Sequence, residues 1–229
     1  MIEHVYDRAR QARHVSRVLV ATDDERIARV VAGFGGEAVM TKSTHPTGTD
    51  RLAEVAAALD CDIVVNVQGD EPLVTPAMID QVIAPLADDA TAVMSSLRTG
   101  LTSRAEFLDP NVVKVVVDRH DVALYFSRAP IPHTRDAVPQ SDPPASAWRH
   151  IGMYAYRRTF LGIFTSLPPT PLEQGERLEQ LRALEHGYRI IVPETAHRSV
   201  GVDTPSDLAE VEAMVAAAAG ISHKGHPRR

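Results

Sequence analysis

The 229-residue chain has a single cysteine, Cys61, and no apolar run longer than a strand. One thiol can neither close an internal disulfide nor build a zinc cluster, which fits a reducing compartment. The longest apolar stretches, Asp62–Val67 and Val112–Val117, fall far short of the roughly 18 residues that a membrane span needs. The opening residues Met1-Ile2-Glu3-His4-Val5-Tyr6 carry neither a basic n-region nor an apolar h-region, so the expectation is a cytoplasmic protein with no membrane partner. An excess of positive charge is also missing. The 24 basic and 30 acidic residues leave a net charge of -6, which argues against non-specific nucleic-acid binding but leaves room for a basic pocket around a small anion. What is present, 44% hydrophobic residues, suffices for the core of one large domain, expected over residues 1–219 with a polar, frayed tail at 220–229.

The hydrophobic pattern predicts a helix over Ile2–Arg13, a buried strand over Arg17–Thr22, and a second helix capped by Thr22 and Glu25 and stopped by Gly35-Gly36. A short strand Glu37–Thr41 follows, then a loop, then an amphipathic helix marked by Leu52, Val55, Ala56 and Leu59. Cys61–Val67, apolar and β-branched, reads as a central strand of a parallel sheet covered on both faces. With a helix Pro76–Ile83 and a strand Thr91–Leu97, this alternation predicts a doubly wound α/β fold. Past residue 110 the rhythm changes. Val112–Val117 and Val122–Ser127 flank the turn Asp118-Arg119-His120-Asp121, which predicts a hairpin and some antiparallel pairing. Pro132–Ser146 reads as a proline-rich surface loop, and a strand His150–Tyr156, a helix Glu176–Glu185, a strand Tyr188–Val192 and a helix from Thr204-Pro205 complete the pattern.

Two acidic positions stand out. In Asn66-Val67-Gln68-Gly69-Asp70-Glu71-Pro72 a buried strand ends in glycine, two carboxylates and proline. Ligands of open α/β sheets bind outside the carboxyl ends of strands, so Asp70 falls on the rim of such a site. A carboxylate there suits Mg²⁺, which keeps several waters and takes only one or two protein oxygens beside substrate phosphates. Capping of the next turn accounts for Asp70-Glu71 equally well. Asp203, in Gly201-Val202-Asp203-Thr204-Pro205, reads more simply as an acid favouring a helix N-terminus. The pair gains weight only if the two loops converge.

Taken together, Val20-Ala21-Thr22-Asp23, His45 with Gly48-Thr49-Asp50-Arg51, Asn66–Pro72, Asp109-Pro110-Asn111 with Val113-Lys114-Val115-Val116, Leu124–Ala129, Arg149-His150-Ile151-Gly152, Leu178-Glu179-Gln180-Leu181 and Gly201–Leu208 resemble the 3-deoxy-manno-octulosonate cytidylyltransferases. These segments occur in the family's order across nearly the whole chain. The resemblance implies a Rossmann-like nucleotidyltransferase fold of the glycosyltransferase-A kind, a mixed sheet with helices on both faces and an antiparallel extension. It implies transfer of a cytidylyl group from CTP to 3-deoxy-D-manno-octulosonate (Kdo), with Mg²⁺, for lipopolysaccharide biosynthesis, by a homodimer. About 1–110 would bind the nucleotide, and about 111–200 the sugar and the second subunit.

By the same resemblance Asp70 and Asp203 are the catalytic carboxylates and metal ligands. Thr47, Gly48 and Thr49 form the nucleotide loop, with Arg51 and Gln68 in the nucleotide pocket. Arg128, Arg135, His150, Tyr154, Glu179 and Gln180 fall on the sugar side. By residue type alone, those six read as surface ion pairs, a strand histidine, a core aromatic and a solvated helix face. Around Arg135 the sequence Pro132-His133-Thr134 departs from the family pattern. The family also opens with an apolar strand and a loop of the form Pro-Ala-Arg-x-x-Ser-x-Arg-x-Pro-x-Lys that wraps the triphosphate. Met1-Ile2 aligns with the helix after that loop, so strand and loop are expected upstream of Met1, with Arg17–Thr22 and Cys61–Val67 as the strand's neighbours. The competing readings are another sugar nucleotidyltransferase, such as the CMP-sialic acid or uridylyl type, and a binding protein without turnover.

Overall fold

The computed structural model describes residues 1–135, 142–198, 201–202 and 204–218. Part of the proline-rich loop, all of the 220–229 tail and Asp203 lie outside the described residues. The elements in chain order are α1 (Ile2–Arg10), β1 (Val20–Thr22), α2 (Glu25–Gly33), β2 (Ala38–Met40), α3 (Gly48–Ala57), β3 (Ile63–Asn66), α4 (Pro76–Asp88), β4 (Met94–Gly100), α5 (Arg104–Leu108), β5 (Lys114–Val117), β6 (Ala123–Ser127), β7 (Trp148–Arg157), α6 (Arg158–Ser166), α7 (Pro171–Glu176), α8 (Gln180–Glu185), β8 (Ile190–Ile191) and α9 (Pro205–Ala218).

β7 organises the sheet. It pairs antiparallel with β4 along one edge, and along the other with β5 at its start and β3 at its end. β6 extends the sheet beyond β5 as the predicted hairpin, and β8 adds a parallel partner to β4. Along β7 the side chains alternate between faces, as strand geometry requires. Ile151, Met153 and Ala155 pack with Val5 and Ala9 of α1 and with Met78, Ile79, Val82 and Ile83 of α4. Tyr154 and Tyr156 face the opposite layer, with Phe160, Leu161 and Phe164 of α6 and Leu181 of α8. Helices therefore cover both faces of a mixed sheet.

The parallel reading of Cys61–Val67 is overturned: β3 pairs antiparallel with β7, in the register Asn66 opposite Tyr154. An apolar β-branched run reports burial on two faces and carries no information about a partner's direction. β1 and β2 form a separate parallel pair, and β1 is not hydrogen-bonded to β3. A cavity of about 860 Å³ receives residues from both, including Val20, Ala21, Val64 and Val65. β1 and β3 each have a single partner strand among the described residues. Capping of α2 is also corrected. Asp24 rather than Thr22 is the N-cap, because its carboxylate reaches the Arg26 N–H at 2.7 Å while Thr22 accepts from the Asp24 N–H at 3.1 Å. Of the predicted helix Glu176–Glu185 only Gln180–Glu185 forms one helix, α8; Glu176 is the last residue of α7, which ends at Arg177 in the left-handed region at φ 52°.

Candidate active site

β3 hands the chain to a turn in which the Glu71 N–H donates to the Gln68 carbonyl at 3.3 Å. Asp70 is half-buried there, and its main-chain carbonyl accepts from the Val202 N–H at 2.9 Å. The two acidic loops thus meet at the backbone one residue before Asp203. At the start of α9 the Thr204 N–H donates to the Asp207 carboxylate at 2.8 Å, and the Asp207 N–H donates to the Thr204 hydroxyl at 3.2 Å. Thr204 and Asp207 therefore supply the reciprocal cap of this helix.

α3 rises from the predicted nucleotide loop. The Thr47 hydroxyl caps it by accepting from the Asp50 N–H at 3.2 Å, and Gly48 is its first residue. Thr49 is buried and donates its hydroxyl to the Glu179 carboxylate at 2.5 Å, joining α3 to the start of α8. Arg51 holds the Thr41 hydroxyl at 2.5 Å and the Asp23 carboxylate at 3.0 Å, so it reaches the cavity as one half of an ion pair. Gln68 is exposed at the same cavity and donates to the Asn66 side chain at 3.2 Å.

A second cavity, of about 250 Å³, gathers His150 and Tyr154 from β7 with Gln180, Asn111 and Arg149. The strand alternation that places Tyr154 opposite Asn66 puts this pocket at the end of β3, where the Asp70 loop begins. The Gln180 amide nitrogen is buried and has no hydrogen-bond partner among the described residues. A buried donor left unpaired costs free energy until a ligand or water meets it, so it marks a binding position. Burial holds His150 in its neutral form, with its pKa pushed down to about 3. Tyr154 is held protonated, first by burial and then by the nearby Glu179 charge. The pocket therefore offers neutral hydrogen-bonding groups, with cationic charge from Arg149, which pairs with Glu106 at 2.8 Å. Burial opposes the Glu106 charge, but hydrogen bonds from Thr102 and Arg149 outweigh it and bring its pKa down to about 2.

Three sugar-side residues are placed differently. Arg128 directs its Nε to the Glu176 carbonyl at 2.8 Å and one terminal nitrogen to the Pro110 carbonyl at 3.0 Å, bracing the rim of the site. Glu179 turns to Thr49 rather than into the pocket, and Arg135 is exposed and does not line it. Residue-type reasoning passed over Lys114, which is wholly buried and donates to the carbonyls of Asp109, Val112 and Arg128 at 2.5–2.8 Å. Its signal was a charged residue inside an apolar strand. Ser96, behind His150, was also missed. A serine within a strand carries no comparable mark.

Residues 1–190 match the cytidylyltransferase family. A 3-deoxy-manno-octulosonate cytidylyltransferase from Syntrophotalea carbinolica is 59% identical over 217 residues, covering 93% of this chain and 87% of the relative. The chain belongs to the 3-deoxy-manno-octulosonate cytidylyltransferase family. The Geobacter metallireducens member of that family is 56% identical over 217 residues, covering 92% of this chain and 85% of its own. Among solved structures, a CMP:2-keto-3-deoxy-manno-octonic acid synthetase complexed with CTP superposes with a TM-score of 0.89 at 43% identity, covering 95% of this chain and 88% of that one. Family membership and fold agree, and the cytidylyltransferase is an α/β nucleotidyltransferase with a mixed sheet.

Proposed function

We infer that this chain transfers the cytidylyl group of CTP to Kdo, releasing pyrophosphate, in lipopolysaccharide synthesis. The observation that carries this reading is the high identity to named Kdo cytidylyltransferases along almost the whole chain. The pocket chemistry supports it. A polyhydroxylated sugar acid calls for neutral donors and acceptors plus a cation, and His150, Gln180, Tyr154 and Arg149 supply that set. In the reaction the anomeric hydroxyl oxygen of Kdo forms a bond to the α-phosphorus as the bond to the β-phosphate oxygen breaks. The hydroxyl proton passes to solvent. Such a transfer needs alignment and charge neutralisation more than covalent help. With a pKa near 3, His150 works as a hydrogen-bonding group and not as a base near neutrality.

Thr47, Gly48 and the backbone of Thr49 at the start of α3 are proposed to meet the nucleotide, the Thr49 hydroxyl being engaged by Glu179, with Arg51 and Gln68 at its flank. Asp70 and Asp203 are proposed to hold Mg²⁺. Asp70 fits a hard cation, its carboxylate standing on a half-buried turn whose backbone is tied to Val202; Asp203 lies outside the described residues. When bound, the ion supplies neutralisation of the α-phosphate and orients the sugar hydroxyl. Substituting Asp70→Asn is expected to lower kcat by at least about a hundredfold while circular dichroism stays unchanged. Wild-type turnover in Asp70→Asn would contradict this role.

The protein is further proposed to be cytoplasmic, where CTP is available, and homodimeric. No helix among the described residues is long and apolar enough to cross a membrane. β6 is an edge strand with Leu124 exposed, which supports pairing with a second copy through the sugar-side half, residues 111–200.

A further inference from the structure

Ser96 sits at the irregularity where β4 and β7 lose register, and it is wholly buried. Its hydroxyl oxygen lies 2.8 Å from Nε2 of His150, 3.0 Å from the Ile151 carbonyl and 2.9 Å from the Met153 carbonyl. A hydroxyl has one proton, and a carbonyl can only accept. If the hydroxyl donated to the imidazole, two carbonyl oxygens would face its oxygen with no hydrogen between them. The arrangement is better matched when the hydroxyl donates to one of these carbonyls, leaving a single carbonyl facing the oxygen without a hydrogen, and accepts from the ring, which requires the proton on Nε2. His150 Nδ1 is then the unprotonated nitrogen, and it has no hydrogen-bond partner among the described residues. The ring is edge-on to Phe126 at 4.8 Å, which holds its plane.

We propose that Ser96 is a positioning residue that fixes His150 as the Nε2–H tautomer, so that Nδ1 meets the acceptor sugar as a hydrogen-bond acceptor. The assignment of the ligand rests on the functional reading above; the assignment of the tautomer does not. The pocket then presents an acceptor at His150 and an unmatched donor at the Gln180 amide. That pair recognises a ligand offering a hydroxyl hydrogen at one point and an oxygen lone pair at another, as neighbouring hydroxyls of a sugar acid do. It also selects against an analogue whose hydroxyl facing Nδ1 is removed or methylated, because the nitrogen would be left unpaired.

The test begins with the ligand-free wild-type protein, labelled with nitrogen-15 at histidine. Long-range proton–nitrogen correlation is expected to show a pyrrole-like Nε2 and a pyridine-like Nδ1 for His150, assigned against His150→Gln. A protonated Nδ1 would overturn the proposal, and this spectrum depends on no variant at Ser96 folding. In Ser96→Ala the single tautomer is expected to give way to a mixture, and the KM for Kdo to rise about tenfold, the scale of one neutral hydrogen bond, with kcat within about threefold. Ser96→Thr, which restores the hydroxyl, should recover the pure tautomer. A Ser96→Ala protein that keeps pure Nε2–H and an unchanged KM would equally sink the positioning role. If the spectrum is as expected but Kdo is not a substrate, the functional reading fails and the tautomer stands.

Discussion

His150 shows how burial turns a titratable side chain into a fixed hydrogen-bonding group. Its pKa, about 3 in the folded protein against 6.5 for the free side chain, means that between these values the unfolded chain binds a proton that the native one does not. Stability therefore falls as pH drops from 6.5 toward 3, by up to about 1.4 kcal/mol per pH unit from this residue. Glu106, held at about 2 against 4.5, adds a loss of the same sign below 4.5. Urea denaturation across this range is expected to show that slope. Replacing His150 with Gln should remove the part above pH 4.5, and a variant with the parent's slope there would contradict the account.

At the scale of elements, the predicted pieces are nearly all present, and the failures have identifiable causes. Helix starts were legible where chemistry is local, as at α4, where Thr75 caps and Pro76 takes the first helical position, whereas the Thr47 cap of α3 lay hidden in a stretch read as loop. The β5–β6 hairpin was legible because two apolar runs flank a polar turn. The direction of β3 was not, since its partner β7 lies some 90 residues away. Likewise His150, Tyr154 and Gln180 could be named from the family pattern, but their assembly into one pocket follows from β7 pairing and the break between α7 and α8. Asn111 and Arg149 joined that pocket only in three dimensions. Lys114 shows how one residue steadies an element: it ties the Asp109–Val112 turn to the Arg128 rim through three carbonyls. Lys114→Met would leave these buried acceptors unmatched, with an expected loss of about 2–4 kcal/mol in urea denaturation at unchanged m. A loss below about 0.5 kcal/mol would mean that the carbonyls find other partners.

Across the whole molecule, the nucleotide and sugar sides are joined by the β3–β7 pairing and by the Thr49 hydroxyl, which donates to the Glu179 carboxylate next to Gln180. The net charge of -6 describes the exterior, while Arg51 and Arg149 bring positive charge to the two cavities through ion pairs. The exposed Leu124 on edge strand β6 leads to a further expectation at this scale. Sedimentation should give twice the 24.9 kDa chain mass, and Leu124→Lys should shift it toward the monomer. A wild-type monomer at micromolar concentration would contradict that arrangement. The central claim is cytidylyl transfer to Kdo, and pyrophosphate release across paired substrates tests it most directly. Release is expected only when CTP and Kdo are both present, with none from UTP and a sugar 1-phosphate. Turnover of UTP with a sugar 1-phosphate, and none of CTP with Kdo, would contradict the assignment.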